Sequence, residues 1–276
     1  MTNLISLTNS EYERIRDLVY SRFGINLTEQ KKSLIVGRLQ KVLRQYNFNS
    51  FSDYLDHILN DATGEAVVTL VNRITTNHTF FYRENDHFDF FVQNVIPELV
   101  KNAASDKKIR IWCAGCSSGE EPYTIAMMIS EYFKSGLGNW DIGILATDIS
   151  NKVLDIAKTG IYTIENRSRL PEHLQRRYFK KQSENEASVV TEIRKLILFR
   201  RFNLMRNDFP FRGKFHVIFC RNVMIYFDNP TKKALVQRFY EFTRPLGYLF
   251  VGHSETLGRL EYGYQYIRPA VYRKGV

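Results

Sequence analysis

A chain of 276 residues that is 44% hydrophobic and 25% charged holds enough apolar material for one large α/β domain and a small companion, which excludes a disordered or low-complexity scaffold. The formal net charge of +10 favours an acidic partner, leaving nucleic acid, an anionic membrane surface and an acidic protein face all open. No apolar run reaches the roughly 18 residues of a membrane span, and the N-terminus turns acidic too early for a signal peptide, so a cytoplasmic protein without membrane insertion is expected.

Residues 1–75 read as an all-helical domain, with helices over 11–22, 29–46, 52–59 and 65–73 separated by Gly24, an Asn47 to Ser50 turn and the stretch 61–64. In the second helix Leu34, Ile35, Leu39 and Val42 form an apolar stripe. Lys31, Arg38 and Lys41 share another face, flanked by Lys32 and Arg44, so this helix can present a basic ridge. Residues 76–108 form a linker and helix, in which Phe80, Phe81, Phe88, Phe90 and Phe91 are read as core packing.

From residue 109 onward short β-branched runs alternate with helical stretches, which predicts a mostly parallel sheet covered by helices, spanning 109–276. A charged stretch of weak periodicity at about 160–195 interrupts this rhythm and is read as a small inserted subdomain. The tail EYGYQYIRPAVYRK has the composition of a closing antiparallel hairpin, with Gly258 and Gly263 available for turns.

The strand IRIWC runs into Ala114, Gly115, Cys116, Ser117, Ser118 and Gly119, then into a helix opening Glu120, Glu121, Pro122. Glycines there permit a tight turn and close approach of backbone to a ligand. Two glutamates at a helix N-terminus exclude pyrophosphate and suit a ligand presenting cationic or hydroxyl groups. The strand IGILATD ends at Asp148, whose carboxylate can take both hydroxyls of a ribose or simply cap the following helix. Turn and aspartate lie farther apart than the roughly 20 residues of a dinucleotide fingerprint, which counts against a nicotinamide enzyme. Cys113 and Cys116 spell C-x-x-C without a second pair or a neighbouring histidine, and no H-E-x-x-H occurs, so no metal is expected.

Two further segments, TTNHTFFYREN at 75–85 and FCRNVMIYFDNP at 219–230, resemble signature stretches of the chemotaxis receptor methyltransferases, the CheR family. CAGCSSGEEPYTIAMM, FNL at 202–204 and GHSE at 252–255 extend the resemblance in order along nearly the whole chain. It implies a Rossmann-like S-adenosylmethionine-dependent methyltransferase fold with an N-terminal helical domain and an inserted β-subdomain. The implied reaction esterifies glutamate side chains of chemotaxis receptors, leaving S-adenosylhomocysteine. Residue by residue, it implies that Asn77, Thr79 and Arg83 lie over the methionine end of the cofactor. Gly115, Glu120 and Asp148 follow toward its amine and ribose, with Glu121 an alternative to Glu120. Asn203 and Leu204 hold the adenine end, Arg221 and Asn222 enter the site, and Tyr226 faces the transferring methyl, with Arg83 and Arg221 helping to bring in the acceptor anion. It further implies a monomer that meets acidic receptor helices through the basic helix, and, in some members, a receptor C-terminal peptide docked by strand addition on the β-subdomain.

A glutamate, with an ordinary pKa of about 4.3, is already ionised at neutral pH, so a carboxylate acceptor needs no general base. A nucleic-acid methyltransferase suits the charge, yet Cys220, Arg221, Asn222 and Val223 stand where base methylation would favour a Pro-Pro-aromatic pattern. A module that binds cofactor or receptor without turnover is the second alternative.

Overall fold

The structure, a computed structural model, describes residues 4–76, 78–257 and 263–276. The chain divides into two compact units, one comprising 1–77 with 226–232 and the other 78–225 with 233–276. Asn77 and Gly258, both singled out in the sequence, lie outside the described residues.

In the first unit α1 (Asn9–Phe23) opens on a capping box, with the Thr8 hydroxyl receiving the Glu11 N–H and the Glu11 carboxylate receiving the Thr8 N–H, and closes on Gly24 in the left-handed region. Glu11 also accepts from the N–H and hydroxyl of Ser52, at the start of α3 (Phe51–Asn60), at 2.9 Å each. Between them α2 (Lys32–Gln45) begins three residues later than the pattern suggests, because residues 29–31 form a 3₁₀ turn. Its buried face is Ile35, Leu39, Val42 and Leu43, spaced by three and four, and Leu34 falls outside that stripe at 47% exposed. The basic face is not uniform either. Arg38 donates to the Ile74 carbonyl at 2.5 Å and to Thr76 Oγ1 at 2.8 Å, at the end of α4 (Glu65–Ile74), whereas Lys41 and Arg44 are exposed.

Residues 226–232 complete this unit. Ile25 bridges Phe227, Asn26 N–H donates to the Tyr226 carbonyl at 2.8 Å, and Tyr20 Oη donates to Asp228 at 2.9 Å. The Tyr226 hydroxyl receives the Thr76 N–H at 2.9 Å and donates to the Thr76 carbonyl at 3.1 Å.

The second unit opens with α5 (Asn85–Phe90), a π turn over Phe91–Val95 and α6 (Ile96–Asn102). Phe81, Phe88 and Phe91 are fully buried, while Phe80 and Phe90 are half-buried. The alternating part follows as β1 (Lys108–Ala114), α7 (Glu120–Phe133), β2 (Asp141–Asp148) and α8 (Asn151–Thr159). The insertion holds β3 (Ile161–Thr163), α9 (Ile164–Arg167), α10 (Glu172–Tyr178), β4 (Phe179–Lys181), β5 (Glu186–Val189) and α11 (Thr191–Arg194). Next come β6 (Ile197–Arg201), β7 (Phe215–Cys220), α12 (Asn229–Phe242), β8 (Thr243–Val251), β9 (Tyr264–Arg268) and β10 (Val271–Lys274).

The main sheet runs β6-β2-β1-β7-β8-β10-β9, parallel from β6 to β8 and antiparallel at the closing hairpin. This order, reversing on either side of β1, is the S-adenosylmethionine-dependent methyltransferase fold. The insertion forms a separate antiparallel sheet, β3-β5-β4. Strand alternation sorts the side chains by face: Ile109, Ile111, Ile142, Ile144, Ala146 and Phe199 join one core under α7, whereas Trp112 on the other face is ringed by Phe202, Phe209, Phe215 and Phe239. Among the described residues no helix is long and apolar enough to cross a membrane.

Two histidines are locked neutral in this unit. Burial, reinforced by Arg244, pushes His216 down to about 4, and its Nδ1 receives the Arg110 N–H at 3.0 Å. Burial, reinforced by Arg221, does the same to His87, also to about 4. The unfolded chain binds protons on both near the ordinary value of 6.5, so stability is level above that pH and declines as pH falls toward 4. Each imidazole contributes up to about 3 kcal/mol to that decline. Chemical denaturation across the window measures it, and His216→Gln is expected to flatten the slope by about half.

Candidate active site

The C-terminal ends of β1, β2, β6 and β7 carry the polar residues, as expected where an open parallel sheet reverses its strand order. After β1 the chain turns sharply at Gly115 (φ 90°) and Gly119 (φ 96°). A side chain at Gly115 would collide with Val223, and one at Gly119 would come within 2.8 Å of Ala157 and 2.9 Å of the Tyr162 hydroxyl. Gly115→Ala is therefore expected to destabilise the fold by about 1–3 kcal/mol and to weaken cofactor binding with it. Paired thermal and S-adenosylhomocysteine titrations check this.

Asp148 caps the following helix, one of the two readings made of it, and also braces the glycine turn. Its Oδ1 receives the Ser150 N–H at 3.0 Å ahead of α8, and its Oδ2 receives the Ser117 N–H of the glycine turn at 2.9 Å. Burial raises its pKa against those hydrogen bonds. One carboxylate thus ties the two strand ends together.

Glu120, at the first turn of α7, is 2% exposed. The Ser118 hydroxyl lies 2.7 Å from its carboxylate, and burial raises its pKa. No cation pairs with it among the described residues, so a buried acid stands ready for a positive group. Glu121 is already matched: its Oε2 lies 3.1 Å from Arg221, although burial still raises its pKa.

Arg221, just past β7, is the hub. Its side chain is 2% exposed, and besides Glu121 it meets Glu84 Oε2 at 3.1 Å and the Arg83 carbonyl, with Phe88 beneath the guanidinium at 5.2 Å. Burial pushes Glu84 up, but the Arg221 charge and hydrogen bonds from Asn222 and Arg221 outweigh it and leave the carboxyl below its usual range. Asn222 holds φ 59°, donates its amide to Glu84 at 3.1 Å and its N–H to Glu255 at 2.7 Å. Glu255 also receives the N–H groups of Gly252 at 2.6 Å and Ile225 at 3.0 Å, so one buried carboxylate fixes the loop after β7. Arg83 donates to the His78 carbonyl at 2.8 Å, and Thr79 is half-buried beside it in sequence. Asn203, after β6, receives the Met205 N–H in a local turn, and Leu204 is buried.

The structure thus gathers Gly115, Glu120, Asp148, Arg221 and Asn222 at neighbouring strand ends of the second unit, while Tyr226 belongs to the first. Arg221 fits poorly as a receiver of an incoming anion, because both faces of its charge are already taken by Glu84 and Glu121. Sequence reasoning gave no role to Glu84, His87 or Glu255, although the RE of TTNHTFFYREN and the GHSE stretch contain the two acids. Glu84, His87 and His253 place ligand-type atoms within 4.8 Å of one another, but the Glu84 oxygens are engaged by Arg221 and Asn222. Cys113, Cys116 and Cys220 are free and buried, and burial raises each thiol well above its usual range, so the C-x-x-C pair is inert packing.

Comparisons with known proteins join this geometry to a family. Residues 10–75 match the family model described as the CheR methyltransferase all-alpha domain, and residues 77–271 match the CheR methyltransferase SAM binding domain. A chemotaxis protein methyltransferase of Borreliella burgdorferi is 42% identical over 98% of this chain and 96% of its own length. One of Pseudomonas aeruginosa is 39% identical, covering 90% and 87% respectively, and that of Escherichia coli is 35% identical, covering 95% and 89%. With the parallel sheet, the glycine turn and the strand-end acids in place, the chain belongs to the CheR methyltransferases, which act with S-adenosylmethionine.

Proposed function

We propose that this methyltransferase forms methyl esters on glutamate side chains of cytoplasmic chemotaxis-receptor helices, as part of sensory adaptation in the cytoplasm. The observation that carries the reading is the pair of acids flanking the glycine turn, buried Glu120 without a cation among the described residues and half-buried Asp148 at the strand end, in a chain of this family. Glu120 takes the amine of the cofactor, and Asp148 its ribose hydroxyls in charge-assisted hydrogen bonds. Asn203 and Leu204 border the adenine, and Asn77, Thr79 and Arg83 the methionine end. The cofactor supplies an activated methyl on a sulfonium. Arg221 acts as a positioning residue, holding Glu84, Glu121 and the Arg83 backbone in register. Asn222 does the same through Glu84 and Glu255.

An acceptor glutamate arrives ionised, so these residues have to align oxygen, carbon and sulfur rather than move a proton; alignment of this kind lowers barriers by up to roughly 7–11 kcal/mol. The Tyr226 hydroxyl, held by the Thr76 N–H, turns its proton from the Thr76 carbonyl to one oxygen of the arriving acceptor and leaves the other nucleophilic. Tyr226→Phe is expected to lower kcat roughly tenfold with little change in cofactor affinity, the size of one charge-assisted hydrogen bond. Equal losses in both would remove that role. Lys41 and Arg44, exposed on α2, are where acidic receptor helices would be steered, and an edge of the β3-β5-β4 sheet offers strand addition to a receptor peptide.

The decisive experiment is transfer of labelled methyl from S-adenosylmethionine to receptor cytoplasmic domains, followed by alkali. Release of volatile methanol identifies an ester, whereas base-stable label rejects glutamate as acceptor.

A further inference from the structure

Strands buried in a parallel sheet are normally covered on both faces. Here α7 and α8 pack on one face of β2 and β6, burying Ile144, Ala146 and Phe199. The opposite face is open: Leu145, Thr147 and Leu198 floor a cavity of about 950 Å³, and Leu198 remains 49% exposed. Phe211 and the edge of Phe202 extend the apolar floor.

The walls are cationic. Arg200 and Arg201 stand on β6, Arg212 and Lys214 on the loop before β7, and Lys108, Arg110 and Arg244 at the starts of β1 and β8. Against these seven stand Asp106 in the lining, 3.9 Å from Arg244, and Asp141, which pairs with Lys108 and Arg110, so Arg212 and Lys214 carry the larger share of the charge offered to a ligand. Much of the net charge of +10 is therefore concentrated in one concavity. Its side near Lys108, Lys214 and Arg244 lies at the N-terminal ends of β1, β7 and β8, the opposite ends of those strands from Gly115 and Arg221.

We propose that this cavity binds a nucleotide bearing several phosphates, with the base on the Leu198 and Phe211 floor and the phosphates among Arg212, Lys214 and Arg244. A flat apolar floor inside a cationic rim matches a molecule with one apolar plane and several negative charges, and the volume is that of a small-molecule site. An acidic peptide adding as a strand would pair with the backbone at the outer edge of β6, whereas this recess lies over the side chains on the face of β6 and β2.

Calorimetric titration of the full chain with GTP, in saturating S-adenosylhomocysteine so that the cofactor site is filled, tests the proposal. One-site binding that weakens as salt is raised is expected. Arg212→Glu with Lys214→Glu should weaken GTP at least roughly tenfold, and Leu198→Glu should do likewise. S-adenosylhomocysteine affinity and thermal midpoint should stay at wild-type values in both variants, which separates loss of the site from loss of fold. The proposal is overturned by absence of GTP binding to the wild type, or by binding that the variants leave intact. Inorganic triphosphate binding as tightly as GTP would reduce the cavity to a patch of charge, and tighter binding of a polyglutamate peptide would make it a protein-docking surface; either result also overturns it.

Discussion

Arg221→Met is expected to destabilise the protein by about 3–5 kcal/mol, because it strands two largely buried carboxylates around a side chain of similar length. Glu84 and Glu121 are only 14% and 16% exposed, so water cannot replace the guanidinium. The pH dependence gives the mechanism away. In the wild type the depressed pKa of Glu84 contributes stability above the ordinary carboxylate range, which is lost as pH falls through its folded value. Without Arg221, burial outweighs the Asn222 bond to Glu84 and raises both acids, so the variant's deficit relative to the wild type should shrink as pH drops through the mildly acidic range. Adding Glu84→Gln and Glu121→Gln to Arg221→Met should recover much of the lost stability without restoring methyl transfer, since the Arg83 backbone still lacks its anchor. Urea midpoints at two pH values, read beside activity, measure this; an unchanged midpoint in the single variant would show that the cluster does not hold the site.

Asp148→Asn is expected to weaken S-adenosylhomocysteine by about 1.5–3 kcal/mol, roughly ten- to 150-fold, through loss of the charge in the bonds proposed to the ribose hydroxyls. Some stability goes too, because an amide can accept from only one of the Ser117 and Ser150 N–H groups and must turn its own donors toward the other. Cofactor loss should exceed stability loss. Because burial raises Asp148 before the ligand arrives, and the ribose prefers the ionised form, wild-type affinity should climb as pH rises out of the carboxylate range and then level off. The asparagine variant should lose most of that slope. Calorimetry at several pH values decides the matter, and an unaltered affinity would return Asp148 to the role of a helix cap.

What was legible in the sequence follows physical rules. Short apolar and β-branched runs alternating with helical stretches marked β1, α7, β2 and the hairpin, and Gly24 marked the end of α1, whose start at Asn9, set by the Thr8 capping box, lies two residues before the expected one. The pattern misplaced Leu34 and the start of α2, since one apolar residue beside a stripe looks like part of it until packing chooses. In the site, Gly115, Glu120 and Asp148 were readable because turns and strand ends announce themselves locally. The Glu84, Arg221, Glu121 and Glu255 network was not, because Arg221 lies 137 residues from Glu84 and 100 from Glu121 and only folding brings them together. The charge of +10 was visible, but its concentration on one open sheet face depends on which side of β2 and β6 the helices cover.

Residues 226–232 leave the sheet-bearing unit after Ile225, join the helical one and return at Lys233. Their backbone partners, Ile25, Asn26 and Thr76, all come from the N-terminal segment. The helical unit is therefore not a detachable cassette: a gene fusion or truncation that cuts near residue 77 leaves the catalytic half carrying an orphaned loop, with Tyr226 on it. Exchange of the helical unit between relatives would have to carry this short downstream stretch along, so the two segments form one heritable unit despite lying some 150 residues apart.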